Sequence, residues 1–297
     1  MRELSQYSIK EWFCLNPLIH AFKQTRNDII QNIYRRMRPK ALKQFLKDTV
    51  SLQDKTVGVV VAFNQPWVID WLTRMAVQHV HDTTWLIFDN STQKHIRPVI
   101  EKLCRERNIH YLSLPSNPER HPCRSHGIAL TWIYYNVIRK IKPGIFAFID
   151  HDLIPLEKIE FDKILGEQAF YGILNSKPLG WSIWAGYSIY NFSAVRGVSL
   201  NFNNDVTRRL DTGGRNWKCL YKKLNPLQLR FATCKNVDIP DPKDGTFQTV
   251  SVVDNKWIHL CGAGYSEKFN SKFEFFKRIA KATDGGATLK DFVITNK

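Results

Sequence analysis

Read as a pattern of apolar and polar positions, the chain alternates short apolar runs with amphipathic stretches from residue 56 onward. The run Val57-Gly58-Val59-Val60-Val61-Ala62-Phe63 has no polar position and predicts a strand buried on both faces. Asn64-Gln65-Pro66 follows as a turn, with Pro66 suited to the first position of a helix that continues through Val68, Trp71, Leu72, Met75 and Ala76. Thr84 to Phe88 predicts a second strand, ending at Asp89-Asn90-Ser91, and Ile96 to Arg107 a second helix. A third strand spans Ile109 to Leu114. A polar loop over 116–127 leads to a helix from about Ile128 to Ile141, and then to the apolar strand Ile145-Phe146-Ala147-Phe148-Ile149. Strands and helices in strict alternation with short turns predict an α/β fold with a doubly wound, mainly parallel sheet.

The flanks read differently. In the first fifty residues Leu18, Phe22, Ile29, Ile33 and Met37 recur at helical spacing, with Ile30 and Tyr34 beside them. Pro39 separates this helix from a second short pattern, Ala41, Leu42, Phe45 and Leu46. The expected role of the apolar stripe is packing against the main domain; the alternative is a basic amphipathic surface for an anionic membrane. Beyond residue 157, Tyr171 to Leu174 and Thr249 to Val253 read as strands, and Trp181 to Asn191 is dense in aromatics. From Ser266 a basic tail places Phe269, Phe273, Phe276 and Ile279 at helical spacing before Gly285-Gly286 and a polar end; it is expected to cover the site or to pack beside the N-terminal helices. The chain thus divides into a helical extension (1–50) and one domain (51–297), the latter with halves 51–156 and 157–265 and a helical tail, 266–297.

Composition narrows the possibilities. At 297 residues and 43% hydrophobic, the chain is long enough for a packed core. It contains no apolar run near the roughly 20 residues that span a bilayer, and no apolar leader follows Met1-Arg2-Glu3-Leu4-Ser5-Gln6. Six scattered cysteines, none in a CxxC pair, indicate neither a zinc site nor a disulfide framework, and a cytoplasmic setting is the simplest expectation. The formal net charge is +16, and ten Lys and Arg against four Asp and Glu lie in the first fifty residues. Nucleic acid, an anionic membrane face and phosphorylated ligands all suit that charge. No helix-turn-helix or RNA-binding aromatic motif accompanies it, which sets nucleic acid behind the other two.

The candidate chemistry lies where the fourth strand ends, at Asp150-His151-Asp152. Residues two apart on an extended chain point the same way, so both carboxylates face one small volume. Like charges so close call for a cation between them, and hard oxygen ligands suit Mg²⁺ or Mn²⁺. Such an ion would hold a diphosphate and balance its charge as it leaves. The strand ends at Asn64-Gln65, Asp89-Asn90-Ser91 and Asp150-His151-Asp152 should meet at one edge of the sheet, as a nucleotide site requires. Ahead of the expected helix, Arg124, Ser125 as its N-cap and the backbone around Gly127 form a candidate anion site. Neither GxGxxG nor a P-loop is present, which argues against both of those nucleotide folds.

In order and spacing, Val57 to Asn64, Phe88-Asp89-Asn90-Ser91, and Ser125-His126-Gly127-Ile128-Ala129-Leu130 followed by Phe148-Ile149-Asp150-His151-Asp152 resemble a GT-A glycosyltransferase, closest to the family 2-like enzymes. The match covers about residues 56 to 156 and departs from the family at Asn90, where a second acid is usual. The resemblance implies a GT-A fold and transfer of a sugar from a nucleotide-diphosphate donor, a UDP-sugar first among them, to a hydroxyl of a glycan or lipid-linked acceptor. It implies that Asp150 and Asp152 hold Mn²⁺ or Mg²⁺, with His259 returning to the metal, and that Asn64, Asp89, Arg124, Ser125, His126 and Asp150 contact the donor. The aromatic stretch 181–191 would stack on sugar faces or serve as core. An inverting transfer needs a general base. The family's Glu-Asp pair is absent here, so Asp211 is the first choice, with Asp205 and Asp254 as rivals. Other readings consistent with the sequence are a sugar-nucleotide nucleotidyltransferase, an inactive relative that only binds nucleotide, and a basic protein that binds membrane or nucleic acid.

Overall fold

The computed structural model describes residues 2–292; Met1 and the end of the polar tail, 293–297, lie outside it. Three helices precede the first strand: α1 (Ile9–Phe13), α2 (Asn16–Arg36) and α3 (Leu42–Asp48). Then come β1 (Thr56–Ala62), α4 (Pro66–His79), β2 (Thr83–Asp89), α5 (Arg97–Glu106), β3 (His110–Ser113), α6 (Pro122–Ile133), α7 (Arg139–Ile141) and β4 (Ile145–Asp150). The second half holds β5 (Leu153–Pro155), α8 (Phe161–Leu165), β6 (Phe170–Lys177), β7 (Gly180–Asn191), α9 (Phe192–Val195), β8 (Cys234–Pro240), β9 (Phe247–Val253) and β10 (Trp257–His259). The chain closes with α10 (Glu267–Ser271), α11 (Phe273–Asp284) and α12 (Leu289–Phe292).

The central sheet has the order β3-β2-β1-β4-β7-β6. Its first four strands are parallel, and β7 runs antiparallel to both β4 and β6. This is the mixed α/β architecture, with a mostly parallel sheet, that the GT-A resemblance implies. Alternation along the strands explains why their sequences are apolar throughout: Val57, Val59, Val61, Phe146 and Phe148 enter one core, while Val60, Ala62, Ala147 and Ile149 enter the core on the other face. The second sheet, β5-β10-β9-β8, is antiparallel and packs into the latter core. Among the described residues no helix is long and apolar enough to cross a membrane.

Three expectations need correction, and for the aromatic stretch 181–191 one of two open alternatives prevails. The helix before β4 starts at Pro122 rather than Ile128, with His121 at its N-cap, so Ser125 is inside the first turn and caps nothing. Its polar start read as loop because those side chains line a cavity instead of solvent or core. The aromatic stretch 181–191 is strand β7; Trp181, Tyr187 and Tyr190 are buried core, and Trp184 alone of the four reaches the cavity. The tail packs beside α4, where Trp71 Nε1 donates to Thr283 Oγ1 (3.1 Å), on the sheet face opposite Tyr34, Leu42 and Phe45 of the N-terminal helices. Finally, the apolar stripe of α2 is not buried: Leu18, Phe22, Ile29 and Ile33 face outward, while Gln24, Asn27, Gln31 and Tyr34 face the domain.

Candidate active site

Asp150 is the last residue of β4, and after His151 and Asp152 the chain enters β5 of the second sheet at Leu153. Asp150-His151-Asp152 is therefore the crossover between the two sheets. The antiparallel register of β5 on β10 sets His259 opposite Leu153, next to Asp152. His259 Nε2 lies 3.4 Å from Asp152 Oδ1, and ligand atoms of Asp150, Asp152 and His259 all fall within 4.8 Å of one another.

The loop after β10 fixes this crossover. Leu260 N donates to the Asp152 carbonyl (2.9 Å), and the backbone N–H groups of Gly262 and Ala263 donate to Asp152 Oδ2 (2.7 and 3.0 Å). His151, between the two acids, is held by the loop after β10; its Nε2 meets the Ala263 carbonyl at 3.1 Å. Cys261, Gly262 and Gly264 have φ of 58°, 88° and 93°, and these left-handed positions let the loop fold back onto the acids. One Asp152 oxygen is thus consumed by backbone donors, while the other faces His259. On the far side of His259, Nδ1 is 3.4 Å from Cys261 Sγ, which leaves Nε2 directed at the acids. Trp184 stacks at a tilt on the same imidazole, centroids 5.1 Å apart.

The two carboxylates are electrostatically unequal. Burial and then the neighbouring Asp152 charge push the Asp150 carboxyl up to about 7. Burial acts the same way on Asp152, but His259 and the backbone donors outweigh it and hold that carboxyl below the ordinary range. Burial would lower His259; Asp152 outweighs it, and the imidazole is held well above its ordinary value. His126 Nε2 stands 3.4 Å from Asp150 Oδ1, and burial lowers that imidazole to about 4, so it is neutral near pH 7.

These groups line one wall of a cavity of about 760 Å³. Val61 and Phe63 at the end of β1, Asn90 and Thr92 after β2, and the loop Asn117 to Arg120 form another part of its wall, with Ser125, Asp211, Tyr265 and Ser266 around the rest. The three strand ends thus meet at one edge, as anticipated. Of the anticipated site residues, Ser125, His126, Asp150, Asp152, Asp211 and His259 all line it.

Asn64, Asp89 and Arg124 are not among its lining residues. Asp89 is fully buried behind the edge, where Ser91 N (2.8 Å) and Tyr111 OH (2.9 Å) donate to its two oxygens. Asn64 Oδ1 accepts from Thr92 N and Gln93 N at 3.0 and 3.2 Å, joining the two strand-end loops. The Arg124 guanidinium is engaged by both oxygens of Glu119 (2.9 and 3.1 Å). Asp89 supports the edge from behind it, and Asn64 ties its two loops together.

The three candidate bases separate cleanly. Asp205 is buried and accepts from Thr207 Oγ1 (2.8 Å), Arg208 N (3.0 Å) and the Arg208 guanidinium (3.1 Å). Asp254 accepts from Tyr171, Tyr187 and Thr233 N. Asp211 alone of the three is exposed and lines the cavity. Sequence reasoning missed Cys261, the Gly262 and Ala263 donors, Glu119 and Tyr265. The only signal for the first three was the glycine spacing in Cys261-Gly262-Ala263-Gly264.

No family model matches the chain, and no curated protein matches it. Solved structures give partial likenesses. One is a mannosyltransferase from Pyrobaculum calidifontis in complex with GDP-Man and Mn²⁺, with 8% identity and a TM-score of 0.35 over 60% of this chain and 57% of that one. Another is glucosyl-3-phosphoglycerate synthase from Mycobacterium tuberculosis in complex with Mn²⁺ and UDP-glucose, with 16% identity and a TM-score of 0.33 over 53% and 62%. A third is TarS of S. aureus, with 16% identity and a TM-score of 0.34 over 50% and 30%. Each match spans less than two thirds of the solved chain. These are likenesses of part of the fold, and the functional reading rests on the site.

Proposed function

We propose that this chain is a metal-dependent glycosyltransferase that moves a sugar from a nucleotide-diphosphate donor to an acceptor hydroxyl. The observation that carries the reading is the convergence of Asp150, Asp152 and His259 on one wall of a 760 Å³ cavity at the carboxyl edge of a mainly parallel sheet. The cavity is of the size that ordinarily encloses a ligand such as a nucleotide.

The donor set fits a divalent cation. Two carboxylates and an imidazole converge, and burial and then the neighbouring Asp152 charge push the Asp150 carboxyl up to about 7, a cost that a bound cation would relieve. Asp150, Asp152 and His259 Nε2 would hold the ion. The imidazole favours Mn²⁺ over Mg²⁺, which prefers oxygen alone. When bound, the ion supplies charge balance to the diphosphate that leaves.

The remaining steps belong to side chains of this chain. Phe63, Asn90, Thr92 and Ser125 wall the β1–β2 end of the cavity and would receive the nucleoside, a UDP-sugar being the first donor to try. Trp184 offers a ring face to the sugar. Neutral His126 orients the Asp150 carboxylate. Asp211 takes the proton from the acceptor hydroxyl, which implies direct displacement with inversion. The acceptor belongs to the glycan or lipid-linked class.

The test is thermal melting against UDP, GDP and ADP, each with and without Mn²⁺, on the wild type and on Asp152→Asn. A ligand that binds only the folded state raises the melting point by mass action. The expected result is a shift for one nucleotide that requires Mn²⁺ and is lost in the variant. No shift for any nucleotide overturns the proposal. A shift without release of nucleoside diphosphate from any nucleotide-sugar would reduce the chain to a nucleotide binder.

A further inference from the structure

The long N-terminal helix docks by the face that its sequence makes polar. Gln24 Oε1 accepts from Val206 N (3.1 Å), Tyr34 OH donates to the Pro115 carbonyl (3.1 Å), Asp28 pairs with Arg215 (2.9 Å) and Arg26 with Glu119 (3.2 Å). These contacts reach two parts of the domain, the loop between β3 and α6 (Pro115, Glu119) and the segment between α9 and β8 (Val206, Arg215), and fix the rotation of α2 about its axis. Rolling the helix to bury its apolar stripe would break all of them. At 100° per residue, Leu18, Phe22, Ile29 and Ile33 lie on one outward stripe.

The outward face is large. Ile9, Trp12 and Phe13 around α1, and Leu18, Phe22 and Ile29 on α2, are between 43 and 86% exposed. An exposed apolar face of this extent marks an interaction surface. Its charge says what kind. Lys10, Lys23, Arg36, Arg38 and Lys40 of the same segment are exposed, whereas two of its acids are taken up, Glu11 by Arg2 and Asp28 by Arg215. A second copy of the chain would bring the same cations against these. Nucleic acid would match the charge and leave the Phe, Trp, Leu and Ile side chains without a purpose. An apolar stripe beside unpaired cations is complementary to the boundary between acyl chains and anionic headgroups.

We propose that α1 and α2 lie on an anionic phospholipid surface, with Phe13, Leu18, Phe22 and Ile29 entering the acyl boundary and Lys10 and Arg36, the latter in line with the stripe at 100° per residue, meeting headgroup phosphates. The same helix touches the cavity wall through the Arg26–Glu119 ion pair, which links the surface to the site. The proposal stands apart from the nucleotide reading, and its test uses no nucleotide.

The full chain would be sedimented with vesicles of phosphatidylcholine alone and of phosphatidylcholine mixed with phosphatidylglycerol. The variants are Phe22→Ser/Ile29→Ser and Lys10→Gln/Arg36→Gln, whose side chains are outside both cores and should leave the melting temperature unchanged. Expected is binding to the anionic vesicles only, with partitioning about tenfold or more weaker for each variant. Absence of binding, equal binding to neutral vesicles, or unchanged binding by Phe22→Ser/Ile29→Ser would each overturn it. So would light scattering that finds a dimer converted to monomer by Phe22→Ser/Ile29→Ser without vesicle binding, since the face would then belong to a second copy.

Discussion

Gly186 of β7 makes room for Asp150 of β4: a methyl group built on Gly186 would overlap both the Asp150 carboxylate and the Trp184 ring. The missing side chain therefore sets where one proposed metal ligand stands. Gly186→Ala should displace Asp150, weaken Mn²⁺ about 10- to 100-fold as loss of a supporting contact does, and leave the fold intact. Titration of Mn²⁺ by electron paramagnetic resonance checks this; unchanged affinity would separate Asp150 from the metal.

Metal binding should release protons at neutral pH. Without metal, the Asp150 carboxyl is pushed up to about 7, so about half of it is protonated near pH 7, and His259 is held well above its ordinary value; ligation must expel these protons. Affinity for Mn²⁺ should fall as pH drops below about 7. The sign for stability is separate: a carboxyl with a raised folded-state pKa binds more protons folded than unfolded, so its contribution weakens as pH rises from the ordinary carboxylate value to about 7. Calorimetric titration in buffers of different ionisation enthalpy measures the release; binding heats that are independent of buffer would refute it.

The three acids of the second half should respond differently to amidation. Asp211→Asn is expected to suppress sugar transfer with the Mn²⁺-dependent nucleotide shift retained. Asp254→Asn removes the charged acceptor shared by Tyr171, Tyr187 and Thr233 N and should cost about 1–3 kcal/mol of stability. Asp205→Asn, facing Thr207 and Arg208, should behave likewise. Melting curves together with a transfer assay on all three variants decide it; full activity in Asp211→Asn would remove it as the base.

Gly127 sits inside α6, where helix propensity alone predicts that Ala would stabilise by about 1 kcal/mol. Its missing Cβ would stand 2.6 Å from the Phe202 carbonyl oxygen, a backbone atom that cannot swing aside. Gly127→Ala should therefore destabilise by about 1–3 kcal/mol, the usual cost of overpacking. Urea denaturation gives the sign directly, and a more stable variant would mean that α6 and the Phe202 segment separate readily.

The sequence by itself determined the parallel strands β1 to β4, the helices α4 and α5 between them, and the place of the acids at the end of β4. Residues such as Val57 to Ala62 and Phe146 to Ile149 are apolar on every position because both sheet faces are covered, and that signature is local. Asp150 and Asp152 were legible as a pair at a strand end, but β4 stops at Asp150 and Asp152 stands in the turn after it, held in place by the backbone N–H groups of Gly262 and Ala263. Tertiary structure decided the rest, because the deciding contacts join distant residues. His259 meets Asp152 through the register of β10 on β5. Asp89 withdrew behind the edge because Tyr111, one strand away, satisfies it. The stripe of α2 turned outward because Val206, Arg215, Glu119 and Pro115 hold its polar side. Periodicity reveals that a helix has an apolar face; only the partners that its polar face finds decide where that apolar face points.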